Sequence, residues 1–326
     1  MRRFVSIPDH DAELIAVEGD GALTLNLYRL HRPGEERGRT NRPVLLFGHA
    51  CGFAAGSYLP LLAAVSEFAD VFAFDARGHG GSDVPPADAA HCGPDRHALD
   101  LARIARAVAA RAPAPIFFVG HSMGAAAMLR LGVVRRELVT SFPWRGILLF
   151  EPPIFPSPDR PEYAECLAKD RALVQRTAAR RAHWPSCEAF VAALAGRGPF
   201  RRIGREALAA HAAATLRPAA GAGFNLCCPP AVEANTYGSF GEDSTFRALS
   251  AFPRDIPMHL VGGDATDENA RSWVTLMAPI IADALDLRHD GRAQRRFTAL
   301  PGQGHLMLLE DAEMTCGLIR DFLSSC

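Results

Sequence analysis

The sequence predicts an α/β protein built on an open, doubly wound and mostly parallel β-sheet. Short runs of unbroken apolar residues recur along the chain, and segments with apolar residues at helical spacing lie between them. Unbroken apolar strands are typical of a parallel sheet covered on both faces, and strands that alternate with helices indicate βαβ units with right-handed crossovers. A glycine-flanked serine at one strand-to-helix turn is the third observation, and it concerns function as well as fold.

The predicted elements begin with a β-hairpin. Residues 13–30 alternate between apolar and polar side chains around Gly19-Asp20-Gly21, which is typical of two strands joined by a tight turn. The apolar runs that follow predict strands at residues 44–48, 71–74, 116–120, 147–150, 258–262 and, more weakly, 296–300. Apolar residues at helical spacing predict helices at residues 58–68, 98–110, 125–134, 271–285 and 311–323.

Between residues 152 and 250 this alternation stops. The segment shows no convincing strand pattern, is rich in Ala, Arg and Pro, and has proline at both ends. Helical patterns within it lie at residues 164–181, 187–195 and 205–216. We therefore expect a core of residues 1–151 and 251–326, with a helical insertion of residues 152–250.

The composition excludes several classes of function. The chain has 326 residues, of which 48% are apolar and 22% charged, and its formal net charge is −1. A chain with so little net charge has no field that would attract a polyanion, so we expect no nucleic-acid partner. Lys169 is the only lysine, which excludes a Walker A phosphate loop and argues against Schiff-base chemistry.

Nothing in the sequence predicts export or membrane insertion. The N-terminus lacks the apolar run of a signal peptide, and no stretch approaches the roughly 18 apolar residues of a membrane span. The eight cysteines do not have the spacing of a zinc site or a redox pair; they are Cys51, Cys92, Cys166, Cys187, Cys227, Cys228, Cys316 and Cys326. We expect a cytoplasmic protein with reduced thiols, no metal and no cofactor.

The pentapeptide Gly120-His121-Ser122-Met123-Gly124 stands directly between a predicted strand and a predicted helix. In that context G-x-S-x-G forms a nucleophile elbow, a sharp turn that exposes the serine hydroxyl. The hydroxyl would lie at a helix N-terminus, where the backbone N–H of Met123 faces developing negative charge. Ser122 is therefore the candidate nucleophile and Met123 one oxyanion donor. The alternative is a serine that only caps the helix.

A serine hydroxyl needs a general base, and the position of His305 fits that role best among the 12 histidines. It ends the segment Gly302-Gln303-Gly304-His305, directly after the last predicted strand. A histidine on a glycine-flanked loop at the carboxyl end of a strand can reach a serine at the same edge of the sheet. The alternative is a solvated loop histidine.

A second oxyanion donor is expected in the segment of residues 47–53, F-G-H-A-C-G-F, which follows an earlier predicted strand. A backbone N–H in this loop can point into the same cleft as the serine. We favour the N–H of Cys51, with that of Ala50 as the alternative. His49 is expected to hold the loop rather than to contact substrate.

Four of these segments resemble the α/β-hydrolase superfamily in order and spacing: F-G-H-A-C-G-F at 47–53, D-A-R-G-H-G-G-S at 75–82, G-H-S-M-G at 120–124 and G-Q-G-H at 302–305. The resemblance covers nearly the whole chain apart from residues 152–250, and it is to capped bacterial serine hydrolases of the esterase and lipase kind. It implies an α/β-hydrolase sheet with a helical cap inserted between strands six and seven. It also implies the chain order nucleophile, acid, histidine.

The sequence leaves the acid of this triad open. Glu151 ends the strand after the nucleophile strand, whereas Asp264 and Asp267 follow the next strand. Most α/β-hydrolases use the second place, usually as G-x-x-D, and this sequence departs from that spacing at both aspartates. A minority, including capped bacterial hydrolases with a similar F-E-P-P stretch, look as if they use the first. Because an unpaired charge at the end of a buried strand is costly, we favour Glu151 and keep both aspartates as alternatives.

The resemblance implies a cofactor-free, serine-dependent carboxylic ester hydrolase. Its triad would cleave an ester, thioester or lactone through an acyl-enzyme, and a small hydrophobic acyl substrate is expected. Acyl transfer, carbon–carbon bond hydrolysis and non-catalytic binding of a small molecule are the alternatives. The oligomeric state is left open, with a homodimer among the alternatives. Aromatic residues of the insertion could line an acyl pocket: Trp184, Phe190, Phe200, Phe224, Tyr237 and Phe240.

Overall fold

The computed structural model describes residues 4–8, 11–31, 42–112, 115–241, 244–264, 272–289 and 293–326. The strands of these residues are β1 (Ala12–Glu18), β2 (Thr24–Leu30), β3 (Val44–Gly48), β4 (Asp70–Phe74), β5 (Ile116–His121), β6 (Trp144–Phe150), β7 (His183–Trp184), β8 (Leu216–Pro218), β9 (Phe224–Leu226), β10 (Met258–Asp264) and β11 (Arg295–Pro301).

The helices follow the strands in the alternating order that the sequence predicts. They are α1 (Leu59–Ser66), α2 (Ala89–Cys92), α3 (Pro94–Ala109), α4 (Met123–Val134), α5 (Arg136–Thr140), α6 (Tyr163–Ala178), α7 (Cys187–Leu194), α8 (Arg205–Thr215), α9 (Pro230–Gly241), α10 (Thr245–Ala248), α11 (Trp273–Ala284), α12 (Met307–Glu310) and α13 (Ala312–Ser325). Short 3₁₀ turns lie at Ala55–Tyr58, Gly198–Phe200 and Leu249–Ala251.

Eight strands form the large sheet, in the order β1-β2-β4-β3-β5-β6-β10-β11. The hairpin β1–β2 and the pair β2–β4 are antiparallel, and the other pairs are parallel. The chain places β4 on one side of β3 and β5 on the other, so the strand order reverses at β3. Ligands of open α/β sheets bind at the carboxyl ends of the strands beside such a reversal. A ligand site is therefore expected at the loops after β3 and β5.

Both faces of the large sheet are buried, as the unbroken apolar strands predict. On β3, Leu46 packs into one core cluster, and its neighbours Leu45 and Phe47 pack into a second cluster on the opposite face. Helices α3, α4 and α11 contribute to the first cluster, whereas α1 and α13 contribute to the second. Successive side chains of a strand point to opposite faces, which is why an apolar residue is needed at every position.

The segment between β6 and β10 is mostly helical, and the bounds of α6, α7 and α8 agree closely with the sequence prediction. The expectation that this segment contains no strand is wrong. Strands β7, β9 and β8 form a small antiparallel sheet in that order. Each has only two or three residues, which is too short for an alternating pattern to show in the sequence.

Two helices of the segment contact the rest of the protein near the loop after β3. Helix α8 packs against the 3₁₀ turn Ala55–Tyr58, and α9 packs against both α6 and α2. In the described parts of the chain, no helix has both the length and the apolar character that crossing a lipid bilayer requires.

Candidate active site

Ser122 occupies the turn between β5 and α4 in a conformation that is unusual for a residue other than glycine. Its φ is 52° and its ψ is −117°. Such a conformation costs about 1–3 kcal/mol and persists only where the surrounding structure fixes it. The Ser122 N–H donates to the carbonyl oxygen of Phe150 at 2.8 Å, which ties the turn to the end of β6. The sequence prediction of a sharp strand-to-helix turn is confirmed.

Two glycines allow the turn to approach its neighbours. A Cβ atom at Gly124 would lie 2.5 Å from the carbonyl carbon and oxygen of Gly48, and one at Gly120 would lie 2.8 Å from the backbone of Ala125. The Gly124 N–H donates to the carbonyl oxygen of His49 at 3.1 Å. The serine turn and the loop after β3 therefore pack backbone against backbone.

His305 lies in the loop between β11 and α12 and contacts both of its predicted partners. Its Nε2 is 3.1 Å from Ser122 Oγ, and its Nδ1 is 2.7 Å from Glu151 Oε2. Because a carboxylate can only accept, Nδ1 carries the proton, and Nε2 is left to accept from the serine hydroxyl. The imidazole is 21% exposed. This geometry suits proton transfer between the hydroxyl and the ring.

Glu151 follows β6 directly and is fully buried, with a φ of 42°. Besides His305, two groups donate to its carboxylate: the Gly263 N–H to Oε1 at 2.7 Å, and the Thr275 hydroxyl to Oε2 at 3.1 Å. A buried carboxylate without such donors would be strongly unfavourable. These hydrogen bonds allow a charged side chain to remain inside the protein, directed at His305.

Asp264, one of the two alternative acids, has no contact with the imidazole among the described residues. Asp264 is the last residue of β10 and its side chain is exposed, while its backbone carbonyl accepts from the Gly302 N–H at 3.3 Å. The Nδ1 of His305 is occupied by Glu151 instead. Asp267 lies outside the described residues. Of the two candidate carboxylates that the structure describes, Glu151 is the one at His305.

The predicted oxyanion donors lie beside Ser122. Met123 is the first residue of α4, and Cys51 lines the same cavity as Ser122. Neither backbone N–H has a hydrogen-bond acceptor among the described residues. The alternative donor, the Ala50 N–H, is directed to the hydroxyl of Tyr58 at 3.3 Å. The N–H groups of Cys51 and Met123 are thus unpaired among the described residues. Cys51 lines the cavity, and Met123 adjoins it through Ser122.

Buried histidines hold the loop after β3. The Nε2 of His49 accepts from the Ala76 N–H at 2.9 Å, and the Nε2 of His79 accepts from the Gly52 N–H at 3.0 Å. Burial lowers the pKa of His49 to about 4 and that of His79 to about 3. Both rings are therefore neutral at pH 7, as an accepting Nε2 requires. Burial also raises the pKa of the Cys51 thiol, which keeps it protonated and unreactive.

His121 links the serine turn to the base, and sequence reasoning did not anticipate this. The Tyr58 hydroxyl lies 2.7 Å from His121 Nδ1, and His121 Nε2 lies 2.8 Å from the backbone carbonyl oxygen of His305. A carbonyl only accepts, so the His121 proton is on Nε2 and the tyrosine donates to Nδ1. Burial lowers the pKa of His121 well below its ordinary value, which stabilises this neutral form.

The cavity that contains Ser122 and His305 has a volume of about 720 Å³. Four of the predicted aromatic residues line it, namely Trp184, Phe190, Phe200 and Tyr237. Phe224 and Phe240 pack elsewhere in the core instead. The lining also contains six cationic residues: Lys169, Arg176, Arg180, Arg181, Arg201 and Arg202. Within the described residues there is no group of histidine, cysteine or carboxylate side chains that could hold a metal ion.

Comparison with known proteins identifies the family. A sequence model of the alpha/beta hydrolase family matches residues 44–316. The chain belongs to the alpha/beta hydrolase family. It is similar to protein phosphatase methylesterase 1 of Mus musculus, at 30% identity over 129 residues, which are 38% of this chain and 32% of that protein. The match therefore spans less than two thirds of the relative's length.

Solved structures of other alpha/beta hydrolases share the fold over almost the whole chain. The E-2-(acetamidomethylene)succinate hydrolase superposes with a TM-score of 0.71 at 23% identity, over 96% of this chain and 99% of that one. The thioesterase domain from the curacin biosynthetic pathway gives a TM-score of 0.67 at 18% identity, over 95% and 99%. At such identities the likeness shows the fold alone.

Several site residues of this alpha/beta hydrolase had no usable signal in the sequence. Thr275 and Gly263 reach Glu151 only because α11 and β10 pack beside it, and neither belongs to a recognisable motif. The cationic lining did have a signal. Lys169 and Arg176 are seven residues apart, a spacing that places them on one face of α6, and Arg180 follows two residues after the end of that helix.

Proposed function

We propose that the protein is a serine hydrolase that cleaves an ester-type carbonyl substrate, such as an ester, thioester or lactone, through an acyl-enzyme. The single observation that supports this most is the continuous hydrogen-bonded chain from Glu151 through His305 to Ser122, which opens into a cavity. Hydroxyl, imidazole and carboxylate in this order are the arrangement that activates a serine nucleophile.

In the proposed first step, His305 Nε2 takes the proton of Ser122 as Oγ attacks the carbonyl carbon. The imidazole becomes positively charged, and the adjacent Glu151 carboxylate stabilises that charge and keeps the ring in place. His305 then donates the proton to the leaving group as its bond to the carbonyl carbon breaks. Water, deprotonated by the same imidazole, attacks the acyl-enzyme and releases the acid and the free serine.

Negative charge on the carbonyl oxygen is proposed to be stabilised by the N–H groups of Cys51 and Met123. The Met123 N–H belongs to the first turn of α4, so the partial positive charge of the helix N-terminus adds to its effect. Each donor of such a pair contributes on the order of 10²–10³-fold to kcat. Both donors are fixed by the packing of Gly124 on Gly48, so little reorganisation is needed during reaction.

Residues 152–250 are proposed to act as a cap over the core of residues 1–151 and 251–326. The cavity is lined from both sides: Ser122 and His305 come from the core, whereas Trp184, Phe190 and Phe200 come from the cap segment. A volume of about 720 Å³ suits a small or medium-sized organic molecule. The aromatic side chains provide apolar surface for the acyl chain.

The test combines covalent labelling with turnover. The wild-type protein is expected to react with a fluorophosphonate at Ser122, located by peptide mass spectrometry, and to hydrolyse p-nitrophenyl esters. Ser122→Ala is expected to abolish labelling and to lower kcat on the order of 10⁴–10⁶-fold while keeping the fold. Circular dichroism and the unfolding midpoint provide the control for folding. Equal turnover by the wild-type and Ser122→Ala proteins would contradict the proposal.

A further inference from the structure

Among the residues that the structure describes, six cationic side chains line the cavity that contains Ser122 and His305, and two carboxylates, Glu233 and Glu310, line it with them. The chain as a whole has a formal net charge of −1. The positive charge is therefore a local property of this cavity and does not follow from the composition. How strongly these cations attract a negatively charged ligand depends on how many of them are already paired with carboxylates.

Two of the six cations form ion pairs with the two lining carboxylates. The Arg180 guanidinium contacts Glu233 at 2.9 Å and 2.8 Å, and Arg202 Nε lies 3.2 Å from Glu310 Oε2. A third, Lys169, pairs with Glu165 on the same helix at 2.7 Å. Both acidic side chains of the described lining are thus already paired with a lining arginine.

Within the described part of the chain, no carboxylate pairs with Arg176 or Arg181. Among the described residues, Arg176 forms no ion pair. Arg181 donates to the backbone carbonyl of His183 at 2.6 Å and lies over the Trp184 ring, 4.5 Å from its centre. A carbonyl and an aromatic ring orient a guanidinium without cancelling its charge. The described lining thus carries an excess of positive charge on the side formed by residues 152–250.

Arg180 connects this positive region to the proposed oxyanion loop. Its partner Glu233 is buried, and Glu233 Oε1 lies only 2.6 Å from the position a Cβ would take at Gly52, the residue after Cys51. Arg176, four residues before Arg180, lies on α6 and lines the cavity together with Leu173 and Thr177 of the same helix. The positive region therefore reaches from Arg180, whose partner Glu233 lies beside the proposed oxyanion loop, to Arg176 on α6.

We propose that the substrate carries a carboxylate in addition to the carbonyl that reacts, and that Arg176 and Arg181, next to the Arg180–Glu233 pair, bind that carboxylate. This inference rests on the proposed hydrolase function. The planar guanidinium fork matches a carboxylate in shape and charge.

The test uses two pairs of esters that differ only in one negative charge. In the first pair, mono-4-nitrophenyl adipate and its methyl ester, the charge is at the far end of the acyl chain. In the second pair, 4-acetoxybenzoate and its methyl ester, the charge is on the leaving group. We expect the charged member of at least one pair to have a kcat/KM about ten-fold higher, and the preference to shrink as NaCl is raised.

Replacing Arg176, with a matched control, tests whether this residue causes the preference for the charged ester. Arg176→Gln is expected to reduce the ratio of charged-ester to neutral-ester kcat/KM about ten-fold, mainly through KM. Arg171→Gln removes the same charge from an exposed position of the same helix, outside the cavity. It is expected to leave the ratio unchanged. Equal changes in the two variants would mean that the net charge, and not this site, is responsible, and would overturn the proposal.

A binding measurement tests the proposed carboxylate site without relying on catalysis. On the Ser122→Ala background, calorimetric titration with monomethyl adipate is expected to show a Kd about ten-fold weaker when Arg176→Gln is added. Equal affinity in the two proteins, or no charge preference in either ester pair, overturns the inference. Hydrolysis of the neutral esters that depends on Ser122 leaves the proposed function standing in that case. Failure of labelling and turnover alone counts against the function and not against the carboxylate site.

Discussion

Glu151 combines two unfavourable features at one position, a left-handed backbone and a buried negative charge. Both are offset by the structure around it. The Glu151 N–H donates to the carbonyl oxygen of Val261 at 3.0 Å, which fixes the backbone, while Gly263, Thr275 and His305 donate to the carboxylate. Residues whose strained conformation is fixed by the surrounding structure cluster at functional sites. This supports the proposed role of Glu151 as the triad acid.

Comparing Glu151→Gln with Asp264→Asn tests that role directly. Glutamine is similar in size but has no charge to stabilise the imidazolium, and its amide can present the wrong group to His305 Nδ1. We expect Glu151→Gln to lower kcat on an activated ester on the order of 10³–10⁴-fold. Asp264→Asn, at an exposed side chain, is expected to stay close to wild type. The reverse pattern would transfer the acid role to Asp264 without affecting the fold.

At the scale of elements, α9 holds the loop after β3 from the cap side. Two residues one turn apart on α9 touch it: Glu233 packs against Gly52, and the Tyr237 hydroxyl donates to the carbonyl oxygen of Cys51 at 3.3 Å. Gly52 has a φ of +79°, a conformation that favours glycine. The position of the proposed Cys51 donor thus depends on a glycine and on a helix nearly two hundred residues downstream.

Gly52→Ala and Gly21→Ala form a matched pair that isolates this contact. Both glycines have similar positive φ values, 79° and 77°, but a Cβ at Gly21 meets nothing within 4 Å. We expect Gly21→Ala to lower the unfolding free energy by about 1–2 kcal/mol through backbone strain, and Gly52→Ala to lower it further, because its Cβ would lie 2.6 Å from the buried Glu233 Oε1. Only Gly52→Ala is expected also to lower kcat, about 10²–10³-fold, by displacing the oxyanion loop. Urea unfolding and ester kinetics measure the two effects, and equal kinetics in both variants would contradict the role of the loop.

Elements with strong periodic patterns could be predicted from the sequence, and so could the residues at their ends. Ser122, Glu151 and His305 all follow predicted strands, and the carboxyl ends of parallel strands meet at one edge of a sheet. The short strands β7, β8 and β9 could not be predicted, since two or three residues carry no period. Thr275 was missed for a related reason: its contact with Glu151 arises only from tertiary packing of α11.

For the whole molecule, the buried histidines make stability depend on pH. Six histidines are buried and have lowered pKa values, namely His49, His79, His97, His121, His211 and His259. Below the ordinary histidine pKa the unfolded chain takes up protons that the folded chain does not, so each histidine lowers stability as pH falls. The buried carboxyls Asp75 and Glu233 have raised pKa values and act in the opposite direction. Because these contributions oppose each other, the effect of one histidine is measured most clearly by replacing that histidine alone.

His211 on α8 is suited to that comparison. Burial lowers its pKa to about 3, and its Nδ1 lies 3.1 Å from Ser57 Oγ. Above pH 6.5 the ring is neutral in both states; as pH falls from 7 to 5, only the unfolded chain gains the proton, which costs about 2 kcal/mol of stability. In His211→Gln this contribution is absent. The difference in unfolding free energy between wild type and variant, measured in urea, is expected to shift by about 2 kcal/mol in favour of the variant at pH 5. A difference independent of pH would show that burial does not lower the pKa of His211.

Two parts of the chain line the cavity. The proposed reacting groups come from the strand ends of the large sheet, and the arginines and aromatic side chains come from residues 152–250. Replacing the arginines and aromatic residues that come from α6 and α7 changes the lining while Ser122, Glu151 and His305 are left in place. Glu233 and Tyr237 belong to the same segment but hold the loop of the proposed Cys51 donor. For protein engineering, a library that varies the other lining positions of the segment and keeps these two is the economical route to new selectivity.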